Sequence, residues 1–173
     1  VSGTSCNLYF IRYRMKSMPT ENVSGADNQQ ERIKTIGWVV GFIDGEGCFS
    51  VSLHKNNTTK LGWQIMPEFV ATQGERSLNS LEKLKEFFEC GNIFVNRRYD
   101  NHSENIYRFC VRSFKDLNTK IIPFFAENQL QTSKKEDFIL FAEIINRMSM
   151  RQHLNAEGIK EIISIASRMN TRK

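Results

Sequence analysis

Glycine recurs at positions 37, 41 and 45 of this chain, inside the stretch GWVVGFIDGEGCFSVSLHK that spans residues 37–55. Four-residue spacing places the three on one face of a helix. Glycine in a helix interior costs about 1 kcal/mol relative to alanine. A chain that carries three has to recover that loss through close backbone packing, where dispersion contacts accumulate. Beside the glycine face, Ile36, Val39, Val40 and Ile43 form an apolar stripe at helical spacing. After Gly47 the period changes to two, with Phe49, Val51 and Leu53 on one side and Ser50, Ser52 and His54 on the other. A helix therefore runs almost directly into a half-buried strand. Two partners satisfy the glycine face: a second copy of the same helix across a two-fold axis, or the chain's own sheet. In the first case Gly37, Val40, Gly41, Asp44 and Gly45 lie at the seam between the copies.

The remaining pattern alternates between the same two periods. NNTTKLG (56–62) reads as a turn and WQIMPEFVATQ (63–73) as a returning strand. Ile65, Phe69 and Ala71 point inward there, and Pro67 marks an edge or a bulge. SLNSLEKLKEFFEC (77–90) carries the helical stripe Leu78, Leu81, Leu84 and Phe88, with Gly91 as its stop. NIFVNRRY (92–99), the turn DNHSE (100–104) and NIYRFCVR (105–112) make a second hairpin. Helices are expected at about residues 113–122, 134–149 and 155–169, separated by Pro123 and by RQHLN (151–155). The order is helix, hairpin, helix, hairpin, then helices, which is an α+β domain with one mostly antiparallel four-stranded sheet. Residues 31–173 form that domain. Residues 1–30, with the breaker-rich run SMPTENVSGADNQQ, read as a flexible N-terminal extension.

An antiparallel sheet covered by helices on one face leaves the other face wet. The wet face would carry Ser50, Ser52, His54, Gln64, Glu68, Arg108 and Arg112, with arginines (Arg97, Arg98) or asparagine from the NRR run at 96–98; Lys55, at the end of the first strand, is a further candidate for DNA contact. A polar ribbon bearing arginines fits a DNA major groove, which admits β-ribbons, although a plain solvated face gives the same alternation. The net charge of +5 also leans toward an anionic partner. Four cysteines and three histidines show no zinc-ligand spacing, which fits reduced thiols in an intracellular compartment. No apolar run approaches the roughly 20 residues that span a bilayer, so no membrane partner is expected. Arg12, Arg14 and Lys16, with no acid before Glu21, fit either a weak organelle-targeting composition or an ordinary basic tail.

Asp44 and Glu46 stand at the carboxyl end of the glycine helix, where the helix dipole is negative. In a two-fold pairing the second copy's Glu46 would lie nearby, and something positive has to join the carboxylates. Oxygen ligands of this kind suit Mg²⁺. A D-x-E pair in a turn is equally ordinary surface decoration. Lys134 and Lys135 fall in the first turn of a later helix, where the dipole disfavours cations. A phosphate bound at that amino end would account for them, while Ser133 with Glu136 fits a capping box.

VVGFIDGEG (39–47) resembles the LAGLIDADG motif of homing endonucleases, with Gly41, Ile43, Asp44 and Gly47 identical and Glu46 in place of the second aspartate. The similarity continues in order through GEGCFSVSL, PEFVATQ, LEKLKEFFECGNI, IYRFCVRSFKDLNTKIIPFF and SKKEDFILF, covering about residues 33–150. The resemblance implies an α-β-β-α-β-β-α-α fold with a curved four-stranded antiparallel DNA-binding sheet and two motif helices packed at the centre. It implies that Glu46 coordinates a divalent metal beside the scissile phosphate and that Asp44 is more structural. Gln73, in ATQ, matches a polar residue that helps position water. The basic residue near the phosphate is Lys134 or, in the neighbouring register, Lys135. A further basic position corresponds to Ser77, which leaves the adjacent Arg76 as its candidate. The implied activity is a homodimeric, Mg²⁺-dependent double-strand break in a long pseudo-palindromic DNA site, leaving short 3′ overhangs. Mn²⁺ substitutes in such enzymes, and Ca²⁺ binds without supporting cleavage. Base readout would come from Ser50, Ser52, His54, Gln64 and Glu68, with Arg98, Arg108 and Arg112. Some members of the family instead bind intron RNA as maturases, or keep the fold as non-cleaving DNA-binding proteins. Usage rich in Asn, Lys and Ile points to an AT-rich organelle genome, hence a mitochondrion or chloroplast.

Overall fold

The computed structural model describes residues 25–97 and 105–169. Helix α1 (Gly25–Glu46) runs into strand β1 (Gly47–Lys55) with no intervening loop. Gly47 makes that junction sterically feasible. A Cβ there would lie 2.5 Å from Ile43 Cγ2 and 2.7 Å from the Ile43 carbonyl oxygen. Strand β2 (Trp63–Gly74) returns along β1, and the turn between them closes through the Asn56 amide on the Gly62 carbonyl at 2.9 Å. Helix α2 (Leu78–Phe88), strands β3 (Asn92–Asn96) and β4 (Ile106–Val111), and helices α3 (Phe114–Asp116), α4 (Ile122–Glu127), α5 (Lys134–Ser149) and α6 (Ala156–Ala166) follow.

The sheet is antiparallel in the order β1-β2-β4-β3, the expected α+β arrangement. Pro67 pairs with Val51 in β1, while the ladder to β4 begins only at Phe69. At the proline, β2 is therefore still an edge on its second side, where the missing N–H removes no bond. Phe49, Phe69, Ala71, Phe109 and Val111 are buried beneath the helices. Phe49 is the hub, stacked on Phe69 at 5.1 Å and meeting Phe125, Phe138 and Phe141 at 5.3–5.6 Å. Its contacts tie the strand after α1 to both α4 and α5. Val39 and Ile43 on α1 are fully buried, as their stripe predicts.

Several local expectations change. Helix α1 takes in residues 25–32, ahead of the apolar stripe, because residues 27–32 are polar and exposed and need no core. Helix α2 ends at Phe88, with Glu89 rather than Gly91 as the left-handed cap (φ 49°). The Lys120 ammonium donates to the Phe88 and Glu89 carbonyls at 3.1 and 2.7 Å and neutralises that helix end. Pro123 does not separate two helices. It sits in the first turn of α4, preceded by a π-turn over Leu117–Ile121. The wider turn carries the chain past a proline ring that would clash with the carbonyl four residues back in a regular helix. Arg98 and the DNHSE turn lie outside the described residues, as does most of the 1–30 extension. No helix among the described residues is long and apolar enough to cross a membrane.

Candidate active site and nucleic-acid interface

The glycine face of α1 points away from the sheet. Gly37, Gly41 and Gly45 are exposed, and a Cβ added to any of them would meet nothing within 4 Å. Packing against the chain's own sheet, one of the two partners the sequence allowed, is therefore overturned. The apolar stripe takes the sheet side of the helix and leaves the small residues outside. Val40 is half-buried at the edge between the two faces. Trp38 and Phe42 stack at 5.3 Å along the same helix, with Trp38 37% exposed.

The end of α1 is strapped to the segment before α5. Asp44 accepts from the Gln131 amide at 2.8 Å, the Thr132 amide at 3.2 Å and the Thr132 hydroxyl at 2.8 Å. Partial burial pushes its carboxyl upward. The Gln131 and Thr132 hydrogen bonds and the charge of Lys134 outweigh that and hold it below the usual aspartate value. Asp44 thus ties the end of α1 to the segment before α5.

Lys134 completes the strap. Its ammonium donates to the carbonyl oxygens of Ile43, Asp44 and Gly45 at 3.3, 2.9 and 2.7 Å. Those are the orphan acceptors of the last turn of α1, and a cation there offsets the negative helix end. The Ser133–Glu136 capping box is not formed, because the Ser133 side chain makes no cap bond. Thr132 serves instead, its hydroxyl oxygen accepting from the Lys134 amide at 3.3 Å. Lys135 donates to Gln129 Oε1 at 2.8 Å and is exposed. The two lysines in the first turn of α5 thus have protein acceptors, one of them another helix's end. Sequence reasoning missed Gln131 and Thr132; the run QTSKK offers three hydroxyl or amide caps, and only tertiary contact with Asp44 selects among them.

Glu46 emerges beside this strap, exposed, with no partner among the described residues. No group of three or more His, Cys, Asp or Glu side chains among them could enclose a metal ion. The donor chemistry nonetheless fits a hard divalent cation held openly. One unengaged carboxylate leaves most of an oxygen shell to water, phosphate and a second carboxylate, as Mg²⁺ sites commonly do. Gln73 lies two residues beyond the Gly47–Ala71 pair, at the same end of the sheet as Glu46, and its side chain is half-buried. Arg76 is exposed in the short 3₁₀ turn Glu75–Ser77 that follows.

Strand register gathers the other candidates. Ser50 pairs with Glu68, Ser52 with Met66 and His54 with Gln64, while Arg108 pairs with Thr72 and Phe94. These positions share the face opposite the helices. On it, Ser52 Oγ lies 3.1 Å from His54 Nε2, and Gln64 accepts from the Asn56 amide nitrogen at 2.8 Å. Glu68 binds Arg108 and Arg112 together, at 2.8 and 2.5 Å. Lys55 has the opposite parity, pairs with Trp63 and places its ammonium 5.9 Å from that ring's centre. Arg97 is exposed just past β3. Cys48, Cys90 and Cys110 are free thiols. Burial pushes Cys90 and Cys110 up to about 11, so neither offers a thiolate nucleophile at neutral pH.

A family model described as LAGLIDADG endonuclease matches residues 39–145. The probable intron-encoded endonuclease 3 of Neurospora crassa is 33% identical over 135 residues, spanning 77% of this chain and 24% of that protein. The crystal structure of the homing endonuclease I-TnaI is 39% identical with a TM-score of 0.71, over 80% of this chain and 89% of that one. I-SmaMI bound to an uncleaved DNA target in the presence of calcium ions is 34% identical with a TM-score of 0.69, over 76% of this chain and 43% of that one. The chain thus spans about a quarter of the length of the curated relative. The motif at the end of α1, the sheet topology and these matches agree: the chain belongs to the LAGLIDADG endonuclease family.

Proposed function

We propose that this chain is a site-specific homing endonuclease that cuts double-stranded DNA by metal-dependent phosphodiester hydrolysis. The observation that carries the reading is the end of α1. There an exposed Glu46, unengaged among the described residues, adjoins a glycine face that nothing among those residues covers. A second α1 packed on that face brings a second Glu46 to the same place, with Gly37, Val40, Gly41, Asp44 and Gly45 at or beside the seam. That second helix comes from another copy of this chain.

Each protomer lays the open face of its sheet in the major groove of one half-site, and lysines and arginines contact phosphates. The two-fold axis makes the target pseudo-palindromic, and cleavage across the minor groove leaves short 3′ overhangs. Glu46 would hold Mg²⁺ through its carboxylate oxygens; Mn²⁺ would substitute, and Ca²⁺ would be held without supporting cleavage. The divalent ion supplies charge stabilisation at the scissile phosphate and a more acidic water. Gln73 orients the water by hydrogen bonding. Lys134 fixes the end of α1, and so the position of Glu46, while Lys135 and Arg76 stand on the flanks for phosphate contact. The intron-encoded relatives support a role in intron mobility, and the compartment in this reading is a mitochondrion or chloroplast.

Glu46→Gln tests the reading. Cleavage of a randomised duplex library with Mg²⁺, followed by sequencing of cut ends, should yield a two-fold-related site for wild type and no cut for the variant, with DNA affinity retained. A variant that cuts at the normal rate removes Glu46 from the metal site. A wild type that binds intron RNA and cuts no DNA replaces the endonuclease reading with a maturase.

A further inference from the structure

On the open face of the sheet, Glu68 of β2 lies between two arginines from the far hairpin. Oε1 accepts from a terminal nitrogen of Arg108 at 2.8 Å, and Oε2 accepts from Arg112 Nε at 2.5 Å. The carboxylate lies low, with its side chain 17% exposed, while the two arginines stand above it at 43% and 52%. Arg112 is held a second way, its guanidinium carbon 5.7 Å from the centre of the Phe94 ring. With Nε engaged and the guanidinium carbon over the Phe94 ring, rotation of that fork is restricted. The Cys110 side chain adds a further hydrogen-bond contact to Arg112.

We propose that Glu68 is a positioning residue that pre-orders Arg108 and Arg112 as a paired base-reading fork, and that it contacts no base itself; the proposal rests on the DNA-binding function above. Guanine presents O6 and N7 in the major groove, and a guanidinium edge meets both at once. An arginine already fixed loses less freedom on binding than one free in solvent. Both forks converge on the oxygens of one carboxylate, so they address guanines one or two base steps apart, at about 3.4 Å per step. The carboxylate itself is covered by the arginines it holds, so accepting from a cytosine amino group would require releasing both. It also cancels one of two positive charges, which trims sequence-independent attraction to phosphate while keeping directional donors.

Binding-site selection from a randomised duplex library in Ca²⁺ tests the assignment with full-length wild type, Glu68→Gln, Glu68→Asp, Arg108→Ala and Arg112→Ala. Thermal midpoints confirm that each variant is folded. Each arginine variant should relax preference at its own base pair by roughly 5- to 150-fold, the range for one bidentate contact. Glu68→Gln should relax preference at those same base pairs and no others. Glu68→Asp keeps the charge but is too short to engage both arginines, so it should relax them as well, which a purely electrostatic role would not produce. A Glu68 variant that alters a base pair untouched by either arginine variant overturns the proposal, because Glu68 is then a reader. Unchanged preferences in both Glu68 variants overturn it as well. A wild type that enriches no sequence overturns the DNA-recognition reading itself, a failure distinct from the other two.

Discussion

Replacing Lys134 by methionine keeps the length and most of the apolar stem of the side chain but removes the ammonium that joins α5 to the end of α1. Three hydrogen bonds go with it, to the carbonyls of Ile43, Asp44 and Gly45. The terminal carbonyls are partly open to water, so the loss is not that of three buried bonds. A cation at a helix carboxyl end contributes 0.3–1 kcal/mol when exposed and up to about 2 kcal/mol when partly buried. Lys134 is half-buried, and its charge also supports the nearby Asp44 carboxylate. The expected cost is about 1.5 kcal/mol, near the upper part of that range. With a urea m-value of about 2 kcal/mol/M, the unfolding midpoint falls by about 0.7 M. The thermal midpoint falls by about 3–6 °C for a chain of this size. Urea unfolding at pH 7 without DNA or divalent metal isolates this helix-end role from any part in cleavage. Lys135→Met is the control: one exposed bond to Gln129 should be worth less than about 0.5 kcal/mol. If Lys134→Met unfolds at the wild-type midpoint, the ammonium does not hold the helix end and the argument built on it fails.

Gly41 on α1 and Gly47 at the start of β1 should respond in opposite ways. At Gly41 a Cβ meets open space within the chain, so Gly41→Ala should stabilise the isolated protomer by about 1 kcal/mol through helix propensity. The same methyl should weaken dimerisation, read by sedimentation as a shift toward monomer; an unchanged dimer would sink the two-fold packing. At Gly47 the Cβ would lie 2.5 Å from Ile43 Cγ2, and Gly47→Ala should destabilise by about 1–3 kcal/mol in urea unfolding, with near-wild-type stability as the refuting result.

The α+β order and the open face were legible because they rest on periodicity. The change from period 3.6 to period 2 at Gly47 marks the α1–β1 junction within a residue, and alternation alone assigns Ser50, Ser52 and His54 to one side. What the sequence did not disclose depends on residues far apart along the chain. Lys134 finds its acceptors about 90 positions away, and Glu68 meets its arginines 40 and 44 positions away. Alternation tells which way Glu68 points, which assigns it to base readout, but not that two cations cover it, which is what the proposed positioning role rests on. Pro123 misled for a different reason: a breaker rule describes a regular helix, and the π-turn before it is not one. The capping box failed because Thr132, not Ser133, is the residue that Asp44 reaches.

The junction between Glu46 and Gly47 has no loop, so α1 and β1 behave as a single bent bar. In the proposed dimer, one arm of that bar is the seam between protomers and the other lies along the DNA. The distance between the two reading surfaces is then a property of covalent geometry at one glycine, which no side chain on the sheet can adjust. In that proposed complex letters and metre are separated: substitutions at positions such as 50, 52 or 64 would retune which bases are preferred, while the count of base pairs between half-sites would stay as the hinge-free corner sets it. A redesigned descendant of this chain could acquire a new vocabulary and would still scan to the same rhythm.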